Sequence, residues 1–217
     1  AQLPPPEDVV VASTGVIGQP MEIAPIAAGI PSLIAGLTES GSDRAAEGIM
    51  TTDTVMKEVA VEFTLGGKVC HLGGIAKGSG MIHPNMGTML CFLTTDCAIS
   101  PEMIRTALLE TVNVSFNRIS VDGDTSTNDT VLLLASGLSG AEVQPGTADY
   151  DTFVAALTQV AEQLSRELAG DGEGATKLLE CIVTGAPDLL TARAVSKGVI
   201  HSSLFKAAMF GADANWG

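Results

Sequence analysis

Aromatic residues are scarce in this 217-residue chain, which has six phenylalanines, one tyrosine and one tryptophan. Hydrophobic residues nevertheless make up 46% of the chain, so it can bury a sizeable core. That core must consist of Val, Ile, Leu, Ala and Met side chains. The 24 glycines predict many tight turns and close backbone approaches.

Positive charge is also scarce. The chain has 11 Lys and Arg residues against 25 Asp and Glu, which gives a net charge of −14. Nucleic acids and anionic membrane surfaces are bound by basic patches. We therefore expect no nucleic-acid or membrane partner. If the substrates are anionic amino acids, basic groups must be concentrated locally at the site.

Metal-ligand spacing is absent as well, and we predict no metal site. The four cysteines form no CxxC pair, and the three histidines make no ligand spacing with them. Cysteines within apolar runs are typical of small buried hydrophobes and of a reducing compartment, so we expect a cytoplasmic protein. The residues concerned are Cys70, Cys91, Cys97, Cys181, His71, His83 and His201.

Three further signals are missing from the sequence. The first residues do not read as a signal peptide, so we expect none, and the sequence has no apolar run long enough to span a bilayer. There is also no GxGxxG motif or P-loop, so the sequence carries no nucleotide-binding fingerprint.

The stretch that stands out is KGSGMIHPNMGTMLCFLTTD, from Lys77 to Asp96. Its first half is interrupted by glycine and proline and predicts a loop, whereas residues 89–93 form an apolar run typical of a strand. Thr88 thus lies where a loop enters a buried strand. A threonine with a free α-amino group has nucleophile and base in one residue. On spacing alone, the simpler interpretation is favoured, in which Thr88 only begins a strand.

Hydrophobic patterns elsewhere predict alternating strands and helices. Residues 57–64 and 69–75 predict a hairpin across a Gly-Gly turn, which makes an all-parallel sheet improbable. We predict an α+β fold with two mostly antiparallel sheets between helices. Further strands are predicted at 7–13, 130–135 and 178–183, helices at 42–50, 100–114, 149–169, 187–195 and 202–209, and a helical region at 21–37 broken by its prolines.

Six segments, occurring in order, make the chain resemble the ornithine acetyltransferase family, the glutamate N-acetyltransferases of arginine biosynthesis. The residue before the nucleophile is usually alanine in that family and here is Gly87, and the position of His83 is commonly a small residue. In both departures the chain resembles paralogues from antibiotic clusters, such as that for clavulanic acid. The segments are the KGSGMIxPNM motif before Thr88, VASTGVIG at 11–18, MTTDT at 50–54, DGDTSTNDT at 122–130, DGEGATK at 171–177 and FGADANWG at 210–217.

The resemblance implies a layered α/β/β/α sandwich of the N-terminal-nucleophile type. It also implies autoproteolysis between Gly87 and Thr88, followed by ping-pong transfer of an acetyl group from N-acetylornithine to glutamate through an acyl-threonine. By the same resemblance, Thr14 and Gly15 form the oxyanion hole. A plain strand-to-helix turn would give the same sequence at those two positions.

The resemblance further assigns substrate contacts to Thr51, Lys77 and Glu173, together with Thr88. An ammonium at residue 77 would suit a substrate carboxylate or a developing charge. The carboxylate at residue 173 would suit an amine, either of the substrate or of the new terminus. The simpler interpretations are a Ser/Thr turn, a solvated lysine and a charged turn.

The family implies no bound cofactor, with acetyl-CoA as an alternative acetyl donor. Its partners are small molecules and the α and β chains of one precursor, in an α2β2 heterotetramer. We interpret residues 1–217 as one central catalytic region that spans the 87/88 bond and leads toward a second domain. Two alternatives remain: an N-terminal-nucleophile aminopeptidase or amidase, and a non-catalytic module in which that bond stays intact.

Overall fold

The structure, a computed structural model, describes residues 5, 7, 9–83 and 89–214. The described residues form one four-stranded sheet, in the order β1-β2-β3-β4, and six α-helices. In chain order the elements are α1 (Ile23–Ala35), α2 (Ser42–Ile49), β1 (Lys57–Leu65), β2 (Lys68–Lys77), β3 (Leu90–Thr95), α3 (Pro101–Val114), β4 (Thr130–Ala135), α4 (Ala148–Gly170), α5 (Leu189–Ile200) and α6 (Ser203–Gly211).

Strands β1 and β2 form the predicted hairpin. The turn consists of Gly66 and Gly67, with φ values of 53° and 79°. Two consecutive positive φ angles define the turn whose twist matches that of the strands, and glycine adopts them without a steric penalty. The ladder then runs antiparallel from Leu65↔Lys68 to Lys57↔Ala76.

Strand β3 adds antiparallel to β2 and parallel to β4. The parallel pair is connected by α3, since parallel neighbours need a crossover. Helix α3 begins as its sequence predicts: Ser100 is the N-cap, its Oγ accepts from the Met103 N–H at 3.3 Å, and Pro101 is the first helical residue.

Helix α4 covers one face of the sheet. Thr147 caps it by accepting from the Tyr150 N–H at 3.2 Å. Its predicted apolar face is confirmed, because Phe153, Leu157 and Leu164 are fully buried against the sheet. The helix approaches β2 closely at Gly74, where an added Cβ would stand 3.3 Å from Leu164 Cδ1.

The prediction of two sheets is only partly confirmed. The described residues contain one sheet, and its β3–β4 pair is parallel. Segments 9–13 and 178–183 are not strands, and their side chains are largely exposed, with Val11 at 82% and Ile182 at 79%. An extended segment becomes a strand only when a neighbour accepts its backbone hydrogen bonds; the described residues place none beside these two.

The region around α1 also departs from the prediction. Residues 23–35 form one continuous helix with Pro31 inside it, instead of pieces broken at each proline. Pro25 lies in the first turn, where the N–H groups have no partner within the helix and a proline is tolerated. Every residue of α1 is exposed, including Ile23, Ile26 and Leu33.

Within the described residues, no helix combines the length and the apolar character that crossing a membrane requires.

Candidate active site

The candidate site lies at the end of β2, where the strand continues into the KGSG segment. Its centre is Asp53, which is buried and follows α2. The Asp53 carboxylate accepts from the Gly78 N–H at 2.7 Å, from the Thr51 N–H at 3.2 Å and from Lys57 Nζ at 2.7 Å. One side chain therefore fixes the MTTDT segment against the start of the KGSG segment.

Lys57 connects this centre to the far end of α4. Its ammonium is completely buried and pairs with Asp53 at 2.7 Å and with Asp171 at 2.6 Å. Asp171 also accepts from the Thr54 N–H at 2.9 Å. Burial alone would raise the pKa of both aspartates, but the hydrogen bonds they accept outweigh burial and lower it.

Lys77 is buried, with 2% of its surface exposed, so the interpretation as a solvated lysine is wrong. Its Nζ donates to Thr51 Oγ1 at 3.1 Å. Burial lowers the pKa of Lys77, and the nearby Lys57 lowers it further while Asp53 and Asp129 oppose this. Two residues that the resemblance assigns to substrate binding are thus in direct contact, 26 positions apart in sequence.

Glu173 reaches the same cluster through Ser79. The Glu173 N–H donates to Ser79 O at 2.9 Å, and the Ser79 hydroxyl shares a 2.7 Å hydrogen bond with Thr52 Oγ1. The Glu173 carboxylate lies over Gly80, where an added Cβ would come within 2.7 Å of Oε1. A larger residue at position 80 would therefore displace the Glu173 carboxylate.

Thr14 and Gly15 lie in the segment before α1 and are tied to the site through Asn128. Asn128 Nδ2 donates to Ser13 O at 2.9 Å. Thr14 is half-buried and Gly15 is exposed, and an added Cβ at Gly15 would meet no described atom within 4 Å. Gly87 and Thr88 lie outside the described residues.

Asp129 binds the first described residue after Thr88. Its Oδ1 accepts from the Met89 N–H at 2.8 Å, and the next residue, Thr130, donates its N–H to Met89 O at 3.0 Å. Burial raises the pKa of Asp129 to about 6, although the Met89 hydrogen bond and the charge on Lys77 oppose the shift.

A cavity of about 1160 Å³ borders Glu173 on the side of α5 and α6. Six of the chain's 11 Lys and Arg residues line it, against three glutamates. Positive charge is therefore concentrated beside the site in an otherwise acidic chain. The six are Arg118, Arg166, Lys177, Arg193, Lys197 and Lys206.

The groups most suited to a metal lie elsewhere. Atoms of Cys70, Asp96 and Cys97 come within 4.8 Å of one another near the start of β2, roughly 23 Å of strand away from Lys77. Burial raises the pKa of Cys97 to about 12, which disfavours the thiolate that a metal needs. Of the four cysteines, Cys70, Cys91 and Cys97 are buried as predicted, whereas Cys181 is only half-buried.

Comparison with known proteins identifies the family of the chain. The family model described as "ArgJ family" matches residues 2–217. The chain belongs to the ArgJ family. Its resemblance to the ornithine acetyltransferases of arginine biosynthesis is thereby confirmed at the level of the family.

Individual ArgJ relatives are similar over nearly the whole chain. The arginine biosynthesis bifunctional protein ArgJ of Symbiobacterium thermophilum is 53% identical over 98% of this chain and 53% of its own length. That of Geobacillus stearothermophilus is 50% identical over 96% of this chain and 51% of its own. The chain thus spans about half the length of the curated relatives it matches.

A solved structure supports the fold. The crystal structure of ArgJ from Bacillus halodurans is 48% identical and superposes with a TM-score of 0.55, covering 58% of this chain and 60% of that chain. The described fold is therefore similar to that of an ArgJ protein.

Sequence analysis missed several members of the site. Asp53 and Lys57 had no assigned role, and Asn128 and Asp129 were noted only as part of the DGDTSTNDT segment. A signal was available for Asp53, because it lies two residues after Thr51 and Asp side chains commonly accept from nearby backbone N–H groups. Nothing local marked Lys57 as buried.

Proposed function

We propose that this chain is the catalytic region of an ornithine acetyltransferase that transfers an acetyl group from N-acetylornithine to glutamate. The observation that carries the proposal is the burial of Lys77 against Thr51, beside the aspartate that binds the residue following Thr88. A buried ammonium without a carboxylate hydrogen-bonded to it is costly to maintain, and a substrate carboxylate would compensate for that cost.

The first step is self-cleavage. The Thr88 hydroxyl attacks the carbonyl carbon of Gly87, the Gly87–Thr88 C–N bond breaks, and the threonine nitrogen takes a proton as an ester forms. Water then hydrolyses the ester. This leaves a carboxylate on Gly87 and a free amine on Thr88, next to its own hydroxyl.

Acetyl transfer follows in two half-reactions. The Thr88 amine accepts the hydroxyl proton while the oxygen attacks the acetyl carbon, and Thr14 with Gly15 stabilises the oxyanion. The bond to the ornithine nitrogen breaks, that nitrogen is protonated, and ornithine leaves. The glutamate amine then attacks the acetyl ester and restores the threonine hydroxyl.

The charged groups around the site fit these substrates. Lys77 offers a cation and Glu173 an anion within the same hydrogen-bonded cluster, so an amino acid would place its carboxylate near the first and an amine near the second. The cavity beyond Glu173 adds further positive charge. No cofactor is required, acetyl-CoA remains an alternative donor, and the location is cytoplasmic.

The layering of the fold belongs to the same proposal. The sheet face opposite α4 carries Ile75, Phe92 and Leu132 in one half-buried row and Leu134, which is 54% exposed. A second sheet packed on this face would complete the α/β/β/α sandwich. Segments 9–13 and 178–183 are its candidate strands, and the α and β chains together form an α2β2 heterotetramer.

The test is Thr88→Ala in the complete polypeptide that contains these residues. We expect loss of both chain cleavage and acetyl transfer, whereas Thr94→Ala, an exposed threonine of β3, should retain both. With N-acetylornithine, the fragment that begins at residue 88 should gain an acetyl adduct of about 42 Da if catalysis is covalent.

Two outcomes would contradict the proposal. Acetyl transfer by Thr88→Ala at the normal rate would remove the nucleophile assignment. Release of acetate without transfer to glutamate would favour the N-terminal-nucleophile hydrolase instead.

A further inference from the structure

Two consecutive residues, Asn128 and Asp129, join the segments that the proposed reaction must bring together. The Asn128 side chain binds Ser13 O at 2.9 Å, directly before Thr14 and Gly15. The Asp129 side chain binds the Met89 N–H at 2.8 Å, directly after Thr88. Ser13 and Met89 are 76 positions apart in sequence, and this dipeptide contacts both.

The Asp129 contact restrains the backbone of Met89, because its carboxylate accepts from the Met89 N–H at 2.8 Å. The Thr130 N–H holds the Met89 carbonyl at 3.0 Å. Both backbone groups of Met89 are thereby fixed to residues 129 and 130.

The Asn128 contact is equally specific. Its backbone N–H donates to Ser126 Oγ at 3.1 Å, and its Oδ1 accepts from Thr127 Oγ1 at 2.9 Å. The side-chain amide is therefore oriented with its NH2 group toward Ser13 O. A carboxylate at this position would have no donor to offer and would repel the carbonyl.

We propose that Asn128 and Asp129 are positioning residues that hold the Thr14–Gly15 oxyanion segment in register with the Thr88 nucleophile. This inference rests on the proposed function for its chemistry, but the restraint itself is a property of the fold. A misplacement of about 1 Å between nucleophile and oxyanion donors costs roughly 100-fold in rate.

The ionisation of Asp129 provides a readout that a purely structural role would not give. Burial raises its pKa to about 6. Among the described residues, the charge that acts on Asp129 is that of Lys77, and Lys77 in turn is influenced by Asp53 and Lys57. Because the pKa of Asp129 is raised, protonated Asp129 stabilises the folded protein at low pH, and this stabilisation is lost as the pH rises through about 6. At pH 8 Asp129 is charged, and its burial then lowers the free energy of unfolding.

The experiment compares Asp129→Asn, Asp129→Ala and Asn128→Asp in the complete polypeptide, with Asp124→Asn, an exposed aspartate of the same loop, as control. We expect Asp129→Ala and Asn128→Asp to lose roughly 100-fold or more in self-cleavage rate and in kcat, with KM unchanged. Asp129→Asn keeps an acceptor for the Met89 N–H, so it should retain activity within about tenfold. Because asparagine does not ionise, the pH profile of its kcat should lack the inflection near pH 6 that the parent protein shows. Its Tm at pH 8 should equal or exceed that of the parent.

A second measurement does not depend on activity. In a Thr88→Ala background, hydrogen exchange should accelerate at residues 89–93 in Asp129→Ala and at residues 9–17 in Asn128→Asp, but not in Asp124→Asn. Unchanged exchange, or folded Asp129→Ala with normal kcat, would overturn the inference. Failure of the proposed function would show differently, as an uncleaved and inactive parent protein whose exchange still responds to these substitutions.

Discussion

At the scale of single residues, the site depends on charges that the fold removes from water. Lys57 is the clearest case, because its ammonium is fully buried between two carboxylates that are themselves almost inaccessible. Such a group is strongly coupled to its partners: removing one member leaves the others charged and without compensation.

Lys57→Ala should therefore lower the free energy of unfolding by about 3–5 kcal/mol. Urea denaturation at pH 7 measures this. Lys68→Ala is the matched control, since Lys68 is exposed at the turn end of the hairpin and, among the described residues, donates only to the Gly140 carbonyl. Its cost should stay below about 1 kcal/mol. Equal effects from the two substitutions would show that the buried triad does not stabilise the fold.

At the scale of elements, the contact between α4 and the sheet decides which glycines are required. Gly73 and Gly74 are neighbours on β2 but face opposite sides. Gly74 points toward α4 and Gly73 toward the open face. The sequence alone treats the two as equivalent.

Gly74→Ala should destabilise the protein by about 1–3 kcal/mol through overpacking. The new Cβ would overlap Leu93 Cδ2, stand 3.2 Å from the Phe92 carbonyl oxygen and meet Leu164, and Leu93 is too deeply buried to move.

Gly73→Ala is the matched control. Its Cβ would meet Ala60 Cβ at an ordinary 3.5 Å, so the change should be neutral or slightly stabilising because alanine loses less conformational entropy on folding. Thermal unfolding of both variants provides the comparison, and a larger loss for Gly73→Ala would contradict the assigned faces.

At the scale of the whole molecule, the proposed cut at 87/88 divides the sheet between two polypeptides. Strands β1 and β2 belong to residues 1–87, whereas β3, β4 and α4 belong to residues 88–217. The β2–β3 ladder, from Leu72↔Thr95 to Lys77↔Leu90, and the Lys57–Asp171 ion pair cross that division.

The two fragments should consequently stay associated after cleavage. We expect a single species on size-exclusion chromatography in native buffer, and two bands on a denaturing gel. Separation of the fragments in native buffer would mean that the β2–β3 ladder and the α4 contact do not hold the cleaved protein together.

The sequence determined the elements whose stability is local. The Gly66-Gly67 hairpin, the Ser100-Pro101 helix start and the apolar face of α4 could be predicted, because turn geometry, capping and helical periodicity depend on residues a few positions apart. The motif resemblance also named Thr51, Lys77 and Glu173 in advance. Tertiary structure decided the rest.

Burial of Lys57 and Lys77, the bridge made by Asn128 and Asp129, and the absence of strands at 9–13 and 178–183 among the described residues all depend on distant partners. A lysine becomes buried, or an extended segment a strand, only when residues remote in sequence supply the compensating charge or hydrogen bond, and no local pattern records whether such a partner exists.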